Sequence, residues 1–149
     1  MPLAFRNVTA DPDDPVETWP AEAVLTALER GGLSHWRRLA SAMRADPWGP
    51  VARAVEEVIG VDPPYGTGPL MAEILQQARQ EQDRRDREEV AAEIVHLVAR
   101  SGLTRAEFAS RIGTSASRLS TYLAGTVTPS AALLVRMRRL GHRPHLEAE

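Results

Sequence analysis

The sequence contains no cysteine and no long apolar run, and each absence excludes a class of protein. Without cysteine the chain can form neither a disulfide bond nor a thiolate metal site. No segment reaches the roughly 18 consecutive apolar residues that a membrane-spanning helix requires. The N-terminus also lacks the basic and apolar regions of a secretion signal. We therefore expect a cytoplasmic protein that does not enter the membrane.

Lysine is absent as well, and the arginines are unevenly distributed along the chain. All 18 basic residues are arginine, and residues 1–99 have a formal charge of −7, whereas residues 100–143 have a charge of +7 with Glu107 as their one acid. A basic block is typical of a surface that contacts phosphate groups. The alternative is a solvated helical surface with chance clustering. Because the acidic part lacks lysine too, we attribute its absence to the base composition of the gene.

Glycine and proline divide the first 80 residues into short helical segments. Residues 1–17 contain three prolines and several aspartates and predict an irregular acidic arm. The first helix is predicted to start near Pro20 and to end at Gly31–Gly32, and Ser34 is a candidate N-cap for the second helix. A third helix follows from Val51, and residues 60–69 form a stiff loop. No segment alternates like a strand, so we predict an all-α protein whose N-terminal helical domain spans residues 18–80.

Residues 70–100 contain neither an interrupting glycine nor an interrupting proline. Apolar residues at helical spacing occur at both ends of this stretch, and residues 79–89 between them are entirely polar. Oppositely charged side chains four residues apart can stabilise an exposed helix there. The pattern predicts a charged helical linker over residues 81–89. It fits either one long helix or two helices hinged near residues 83–88.

The most informative segment is 101–129, which reads as two short helices joined by a tight glycine turn. Thr104 and Glu107 have the spacing of a capping box, in which each side chain bonds the other residue's backbone N–H. Gly113 can adopt the left-handed conformation that ends a helix, and Thr114 or Ser115 can cap the next one. A last helix is predicted to begin at Thr128–Pro129 and to end at Gly141.

This arrangement resembles the lambda-repressor-like (XRE, Cro-type) family of DNA-binding domains over about residues 90–141. The matching residues are Gly102, Leu103, Thr104, Ala109, Gly113, Leu119, Gly125, Pro129 and Ser130. The resemblance implies a helix-turn-helix DNA-binding domain over residues 90–143 and a recognition helix over residues 115–124. Two features depart from the family: Arg105 replaces the common glutamine, and the chain ends after four helices of the usual five.

The resemblance also implies which residues contact DNA. Arg118 can make a forked contact to guanine, and Ala116 can meet a thymine methyl group. The implied base-contacting residues are Ser115, Ala116, Ser117, Arg118 and Thr121. The implied phosphate-contacting residues are Arg105, Ser120, Thr126, Thr128, Arg136 and Arg139, and Ser115 is a further candidate.

Together these expectations predict a transcriptional regulator, in particular a repressor. It is expected to bind double-stranded DNA as a homodimer and to be nucleoid-associated when bound. The N-terminal bundle or the helix over residues 70–100 is the expected dimerisation element. One alternative is an antitoxin that binds its own operator and masks a toxin with its acidic N-terminal half. Another is an adaptor whose helix-turn-helix binds protein instead of DNA.

Other candidate sites are weaker. Trp36 and Trp48 are interpreted as core residues of the N-terminal bundle, and a ligand pocket lined by Trp36, Trp48 and Tyr65 is the alternative. The four histidines, His35, His96, His142 and His145, do not have the spacing of a metal site. No nucleophile–base pair or glycine-rich phosphate loop occurs. We therefore expect no enzymatic activity, no metal and no cofactor.

Overall fold

The computed structural model describes residues 2–6, 8–61 and 63–142, which form seven α-helices, one short 3₁₀ turn and no strand. The prediction of an all-α fold is therefore confirmed. The chain divides into two compact units, Met1–Gln82 and Asp83–Glu149, referred to below as the N-terminal and the C-terminal unit. The 3₁₀ turn is Val16–Thr18, and the helices are α1 (Ala21–Arg30), α2 (Leu33–Ala45), α3 (Pro50–Val61), α4 (Thr67–Ser101), α5 (Arg105–Ile112), α6 (Ala116–Leu123) and α7 (Ala131–Gly141).

The N-terminal unit is built around α1, α2 and α3, which contact one another pairwise. Their apolar faces and the first turns of α4 enclose one core that includes Val24, Leu28, Leu39, Met43, Val55 and Met71. Two polar side chains tie the ends of these helices together. The indole Nε1 of Trp36 donates to the carbonyl of Ala27 at 2.9 Å, and the hydroxyl of Thr67 donates to the carbonyl of Leu28 at 3.1 Å. Both bonds satisfy carbonyl groups near the C-terminus of α1.

The N-terminal arm is irregular and is packed against this core. Phe5 contacts Trp19 edge to face, with ring centroids 5.0 Å apart. The Arg38 guanidinium lies over the Trp19 ring at 5.1 Å, and it donates two hydrogen bonds of 2.6 Å to the carbonyls of Pro12 and Asp14. One arginine of α2 therefore holds both the arm and the tryptophan that precedes α1.

The prediction that Ser34 caps α2 is wrong. The helix begins at Leu33 with Gly32 as the N-cap residue, so Ser34 lies inside the first turn. His35 performs the capping instead, because its Nδ1 accepts a hydrogen bond from the Gly32 N–H at 3.2 Å. A histidine is an uncommon partner in this position, which is why the sequence favoured the serine.

Residues Thr67–Ser101 form a single α-helix of 35 residues, which decides between the two predicted arrangements. Met71 and Leu75 are buried near its start, and Ile94 and Leu97 are buried near its end. All side chains over residues 83–89 are exposed. There Arg84 and Glu88 form an ion pair at a spacing of four residues.

The C-terminal unit has a small core of its own. It is formed by Ile94, Leu97, Phe108, Ala109, Ile112, Leu119 and Met137, which come from α4, α5, α6 and α7. The last residue of α7, Gly141, lies so close to α4 that a Cβ atom there would be 3.0 Å from the Cα of Leu97. The small residue therefore permits the two helices to pack together.

Candidate nucleic-acid interface

The first helix of the candidate site, α5, begins at a complete capping box. The Thr104 hydroxyl accepts a hydrogen bond from the Glu107 N–H at 3.2 Å, and the Glu107 carboxylate accepts one from the Thr104 N–H at 3.1 Å. Phe108, Ala109 and Ile112 face the core. The predicted cap of this helix is confirmed, and it fixes the position at which Arg105 enters the helix.

The turn between α5 and α6 depends on Gly113, which has φ +84° in the left-handed region. The Thr114 N–H then bonds back to the carbonyl of Ala109 at 2.9 Å, which closes the end of the helix. A side chain from α7 supports the same turn, since Arg136 Nη1 donates to the carbonyl of Ile112 at 3.2 Å. The tight glycine turn predicted from the sequence is therefore present.

The second helix, α6, is held to α5 by one buried residue. Leu119 is fully buried, whereas Tyr122 and Leu123 are only partly buried. Ser115, rather than Thr114, caps the helix, and its hydroxyl accepts a hydrogen bond from the Arg118 N–H at 3.1 Å. Gly125, with φ +75°, follows the C-terminus. The buried face is narrow, so most of this short helix remains open to solvent.

The residues predicted to face the bases lie on or directly before α6. Ser115, Ala116, Ser117 and Arg118 are exposed at its N-terminal end, as is the predicted phosphate-contacting residue Ser120. Thr121 is half-buried, and its hydroxyl donates to the carbonyl of Arg118 at 2.6 Å. That bond leaves the Thr121 oxygen free only as an acceptor.

The other residues predicted to contact phosphate lie on three elements and are all exposed. Arg105 is the first residue of α5, and Thr126 and Thr128 lie in the connection between α6 and α7. The Thr126 hydroxyl donates to the carbonyl of Thr121 at 3.1 Å. Arg136 and Arg139 lie on α7, where Arg136 contacts the turn described above.

The arginines of this unit differ in whether their guanidinium groups already have a hydrogen-bond or ion-pair partner. Arg138 forms a forked ion pair with Glu93, with distances of 2.6 Å from Nε to Oε1 and 3.2 Å from Nη2 to Oε2. This hydrogen-bonded pairing lowers the pKa of the Glu93 carboxyl and raises the pKa of the Arg138 guanidinium. Because the partners are 45 residues apart, the sequence offered no signal for the pair.

Of the arginines on α5, α6 and α7, four exposed ones have no hydrogen-bond or ion-pair partner among the described residues: Arg105, Arg111, Arg118 and Arg139. Arg111 was not among the predicted residues. The helical spacing of the buried residues Phe108, Ala109 and Ile112 could have identified it, because it places position 111 outside the buried face. The unpaired guanidinium groups are the ones that remain able to contact phosphate or base edges.

The interpretation of both Trp36 and Trp48 as core residues is correct for Trp36 and wrong for Trp48. Trp36 packs against the core, but Trp48 is 45% exposed and lies beneath Arg79 with 5.7 Å between guanidinium and ring centroid. The depression next to Trp48 is not lined by Trp36 or Tyr65, and Tyr65 is fully exposed. The alternative ligand pocket is therefore not formed, because the three rings are positioned by different helices and loops.

Within residues 2–6, 8–61 and 63–142, no three His, Asp or Glu side chains come together in a group that could hold a metal ion. Of the four histidines, His145 lies outside the described residues. In the part of the chain that the structure describes, no helix is both long and apolar enough to span a membrane.

The capped helices, the left-handed glycine between them and the exposed polar face of the second helix define a helix-turn-helix. Residues 71–144 match a family model described as a helix-turn-helix domain, which covers most of α4 together with α5, α6 and α7. No curated protein and no solved structure matches the chain. The chain thus carries a helix-turn-helix domain, a class of domain that points to a DNA-binding regulator.

Proposed function

We propose that this protein is a sequence-specific transcriptional regulator of the lambda-repressor-like type, and that it acts as a repressor. The observation that carries the proposal is α6, an exposed polar helix that Ser115 caps and Leu119 fixes to α5. A helix presented in this way fits the major groove of B-form DNA, where its N-terminal residues meet the base edges.

Arg118 is the proposed determinant of sequence preference. It is exposed, it has no partner among the described residues, and a guanidinium can donate two parallel hydrogen bonds to guanine N7 and O6. Ala116 would contact a thymine methyl group, and the hydroxyls of Ser115, Ser117 and Thr121 would add weaker selectivity. The Thr121 hydroxyl already donates to the backbone, so we assign it the role of acceptor.

Phosphate contacts would position the helix without reading sequence. Arg105 and Arg139 are the best placed of the predicted arginines, since both are unpaired, and Arg111 is a further candidate. Ser120, Thr126 and Thr128 would add neutral donors. Arg136 would contribute mainly by holding the turn, because its guanidinium donates to the Ile112 carbonyl.

We further propose that the regulator is a homodimer. A single helix-turn-helix covers a short half-site, and two recognition helices about 34–36 Å apart read successive half-sites on one side of the DNA. In this scheme residues 18–80 serve dimerisation or partner binding, residues 81–89 act as a linker, and residues 90–143 bind DNA. Light scattering at several protein concentrations tests the stoichiometry.

The experiment that tests DNA recognition is fluorescence anisotropy on the DNA upstream of the protein's own gene and on a scrambled duplex, across a range of salt concentrations. We expect Arg118→Ala to reduce the preference for the specific duplex by about 1–3 kcal/mol. We expect Arg105→Ala to weaken binding to both duplexes alike and to reduce the salt dependence, because it removes a phosphate contact.

Arg37→Ala serves as the control, since Arg37 is an exposed arginine of the N-terminal unit. It should leave both affinities unchanged. Wild-type affinity in both test variants would refute the assignment of α6 as the recognition helix. Absence of binding to either duplex at low salt would refute DNA binding and favour the protein-binding adaptor.

The antitoxin alternative shares the DNA-binding step and adds a toxin as a partner of the acidic N-terminal half. A toxin gene adjacent to this one, together with co-purification of its product, would distinguish this alternative from a regulator without a protein partner. Operator binding by the free protein supports either version.

A further inference from the structure

An open apolar groove runs along the N-terminal unit where α3 lies beside the start of α1. It consists of two adjoining depressions of about 510 Å³ and about 200 Å³. Both are lined by Ala21 of α1 and by Glu57 of α3, so they form one continuous surface. The groove lies outside the helix-turn-helix.

One face of α3 forms the length of the groove. Pro50, Ala54, Val58 and Val61 follow at helical spacing and all line it. From Pro50 to Val61 the helix rises about 16 Å, or about three turns. Leu25 of α1 lies opposite the last of these turns. A surface of this length and straightness matches a helix of similar length.

Both ends of the groove expose large apolar side chains. Trp48 is 45% exposed at one end, and Val61 is 85% exposed at the other. Neither side chain belongs to the core of the unit. Exposed apolar residues that line one groove are typical of a surface that binds a partner.

The charged residues of the groove define what it can bind. Glu22 lines the depression formed with Leu25, Val58 and Val61, and Glu57 lines both depressions. Both are exposed carboxylates without a hydrogen-bond or ion-pair partner among the described residues. Basic residues lie toward the Trp48 end, where Arg53 lines the depression and Arg79 lies over the Trp48 ring. An occupant must therefore place positive charge near the Val61 end.

We propose that this groove binds an amphipathic helix of a partner protein, whose apolar stripe lies along α3 and whose arginine or lysine side chains pair with Glu22 and Glu57. Apolar contact would supply affinity, and the two carboxylates would select a basic partner and fix its direction. The inference does not depend on DNA binding, because no residue of the groove belongs to the proposed DNA site.

Two other occupants fit the groove less well. A small-molecule site is usually a concave pocket with several convergent polar groups, whereas this groove is open and is lined mostly by apolar residues. A symmetric contact with a second copy would bring the same residues together across a twofold axis. Because Glu57 lies where the two depressions meet, that contact would oppose like charges.

A phage-displayed library of random peptides of about 16 residues, long enough for about four helical turns, provides the test when panned against the full-length protein. We expect enrichment of peptides with apolar residues at helical spacing and with arginine or lysine beside them. Synthetic copies of the enriched peptides are then measured by fluorescence anisotropy. We expect Glu57→Arg and Val61→Arg each to weaken binding about tenfold or more, since charge reversal and loss of apolar contact act on the same site.

Val95→Arg is the matched control, because Val95 is a half-exposed helical valine in the C-terminal unit. It should leave peptide binding unchanged, and all three variants should keep the unfolding midpoint of the wild type. Absence of enrichment, enrichment of acidic peptides, or affinity unaffected by Glu57→Arg would overturn the proposal. Self-association that Val61→Arg abolishes would also overturn it and assign the groove to a second copy.

Discussion

The two units of this protein differ in how their helices begin. In the C-terminal unit, α5, α6 and α7 each start at a hydroxyl residue, Thr104, Ser115 or Ser130, whose oxygen accepts a backbone hydrogen bond. In the N-terminal unit, α1 and α2 start at Pro20 and Gly32, and neither N-cap residue offers such an oxygen. Hydroxyl N-caps therefore mark the helix starts in one unit. In the other, His35 caps the start of α2, and Trp36 and Thr67 bond carbonyls near the C-terminus of α1.

The tertiary contacts of the N-terminal unit come from residues distant in sequence. Arg38 reaches the arm across more than 20 residues, and the hydroxyl of Thr67 reaches Leu28 across 39. Such contacts fix a stable scaffold but leave little local signal. Capped helices with a glycine turn, by contrast, position a short exposed helix even though its core is small.

All three tryptophans, Trp19, Trp36 and Trp48, lie in the N-terminal unit, so the comparison can be measured directly. Tryptophan fluorescence reports that unit alone, while far-ultraviolet circular dichroism reports both.

The largest expected effect is that of Phe108→Ala, which removes a fully buried ring from the C-terminal core. We expect a loss of about 3–5 kcal/mol in the stability of that unit.

The Phe108→Ala variant should lose DNA binding and part of its helical signal while the fluorescence midpoint in urea stays at the wild-type value. An equal shift of both signals would show that the units unfold as one and would remove the basis of the comparison.

Arg38→Ala tests the long-range contacts that stabilise the N-terminal unit. The change removes two hydrogen bonds from a charged donor and a contact with the Trp19 ring, and we expect a loss of about 2 kcal/mol. Urea titration followed by tryptophan fluorescence measures it. Arg37→Ala, at the exposed neighbouring position, is the control and should have little effect. If both variants behave alike, the contacts of Arg38 do not hold the arm.

Replacing a glycine with alanine should lower the stability of the C-terminal unit at one position and raise that of the N-terminal unit at another. Gly113→Ala forces a side chain into a left-handed conformation, which costs about 1–2 kcal/mol although there is room for the Cβ. Gly60→Ala lies in α3 with φ in the ordinary range and open space, and it should stabilise by about 0.5–1 kcal/mol. Circular dichroism in urea measures both changes. Stabilisation by Gly113→Ala would contradict the turn geometry.

The smallest expected effect concerns one ion pair in each unit. Arg138 lowers the pKa of Glu93, and Arg79 lowers the pKa of Glu56. A carboxyl with a lowered pKa in the folded state adds stability above the ordinary glutamate pKa of about 4.3, and this is lost as pH falls through the lowered value.

Glu93→Gln should therefore slightly destabilise the C-terminal unit at neutral pH, and the difference from the wild type should disappear in acid, below the lowered pKa of Glu93. Glu56→Gln should do the same for the N-terminal unit, as seen in tryptophan fluorescence. The effects are small because both pairs are exposed to solvent. A difference from the wild type that persists in acid would indicate a role other than ion pairing.

The contrast between the two units also explains which parts of the structure could be predicted from the sequence. The capping box at Thr104, the left-handed Gly113 and the buried Leu119 were predicted, because each depends on residues within one helical turn or at helical spacing. Ser34 was assigned wrongly, since an uncommon histidine cap replaced it. The partners of Arg136 and Arg138 lie at least 24 residues away in sequence, so no local pattern could indicate these contacts.

The continuity of α4 has a consequence for the order of folding. Its first turns belong to one core and its last turns to the other, and residues 83–89 between them form helix without burial. Starting a helix is costly, whereas extending one adds a hydrogen bond for each residue fixed. Whichever unit folds first therefore presents its neighbour with an already nucleated helix, which spares the second unit the unfavourable initiation of that helix.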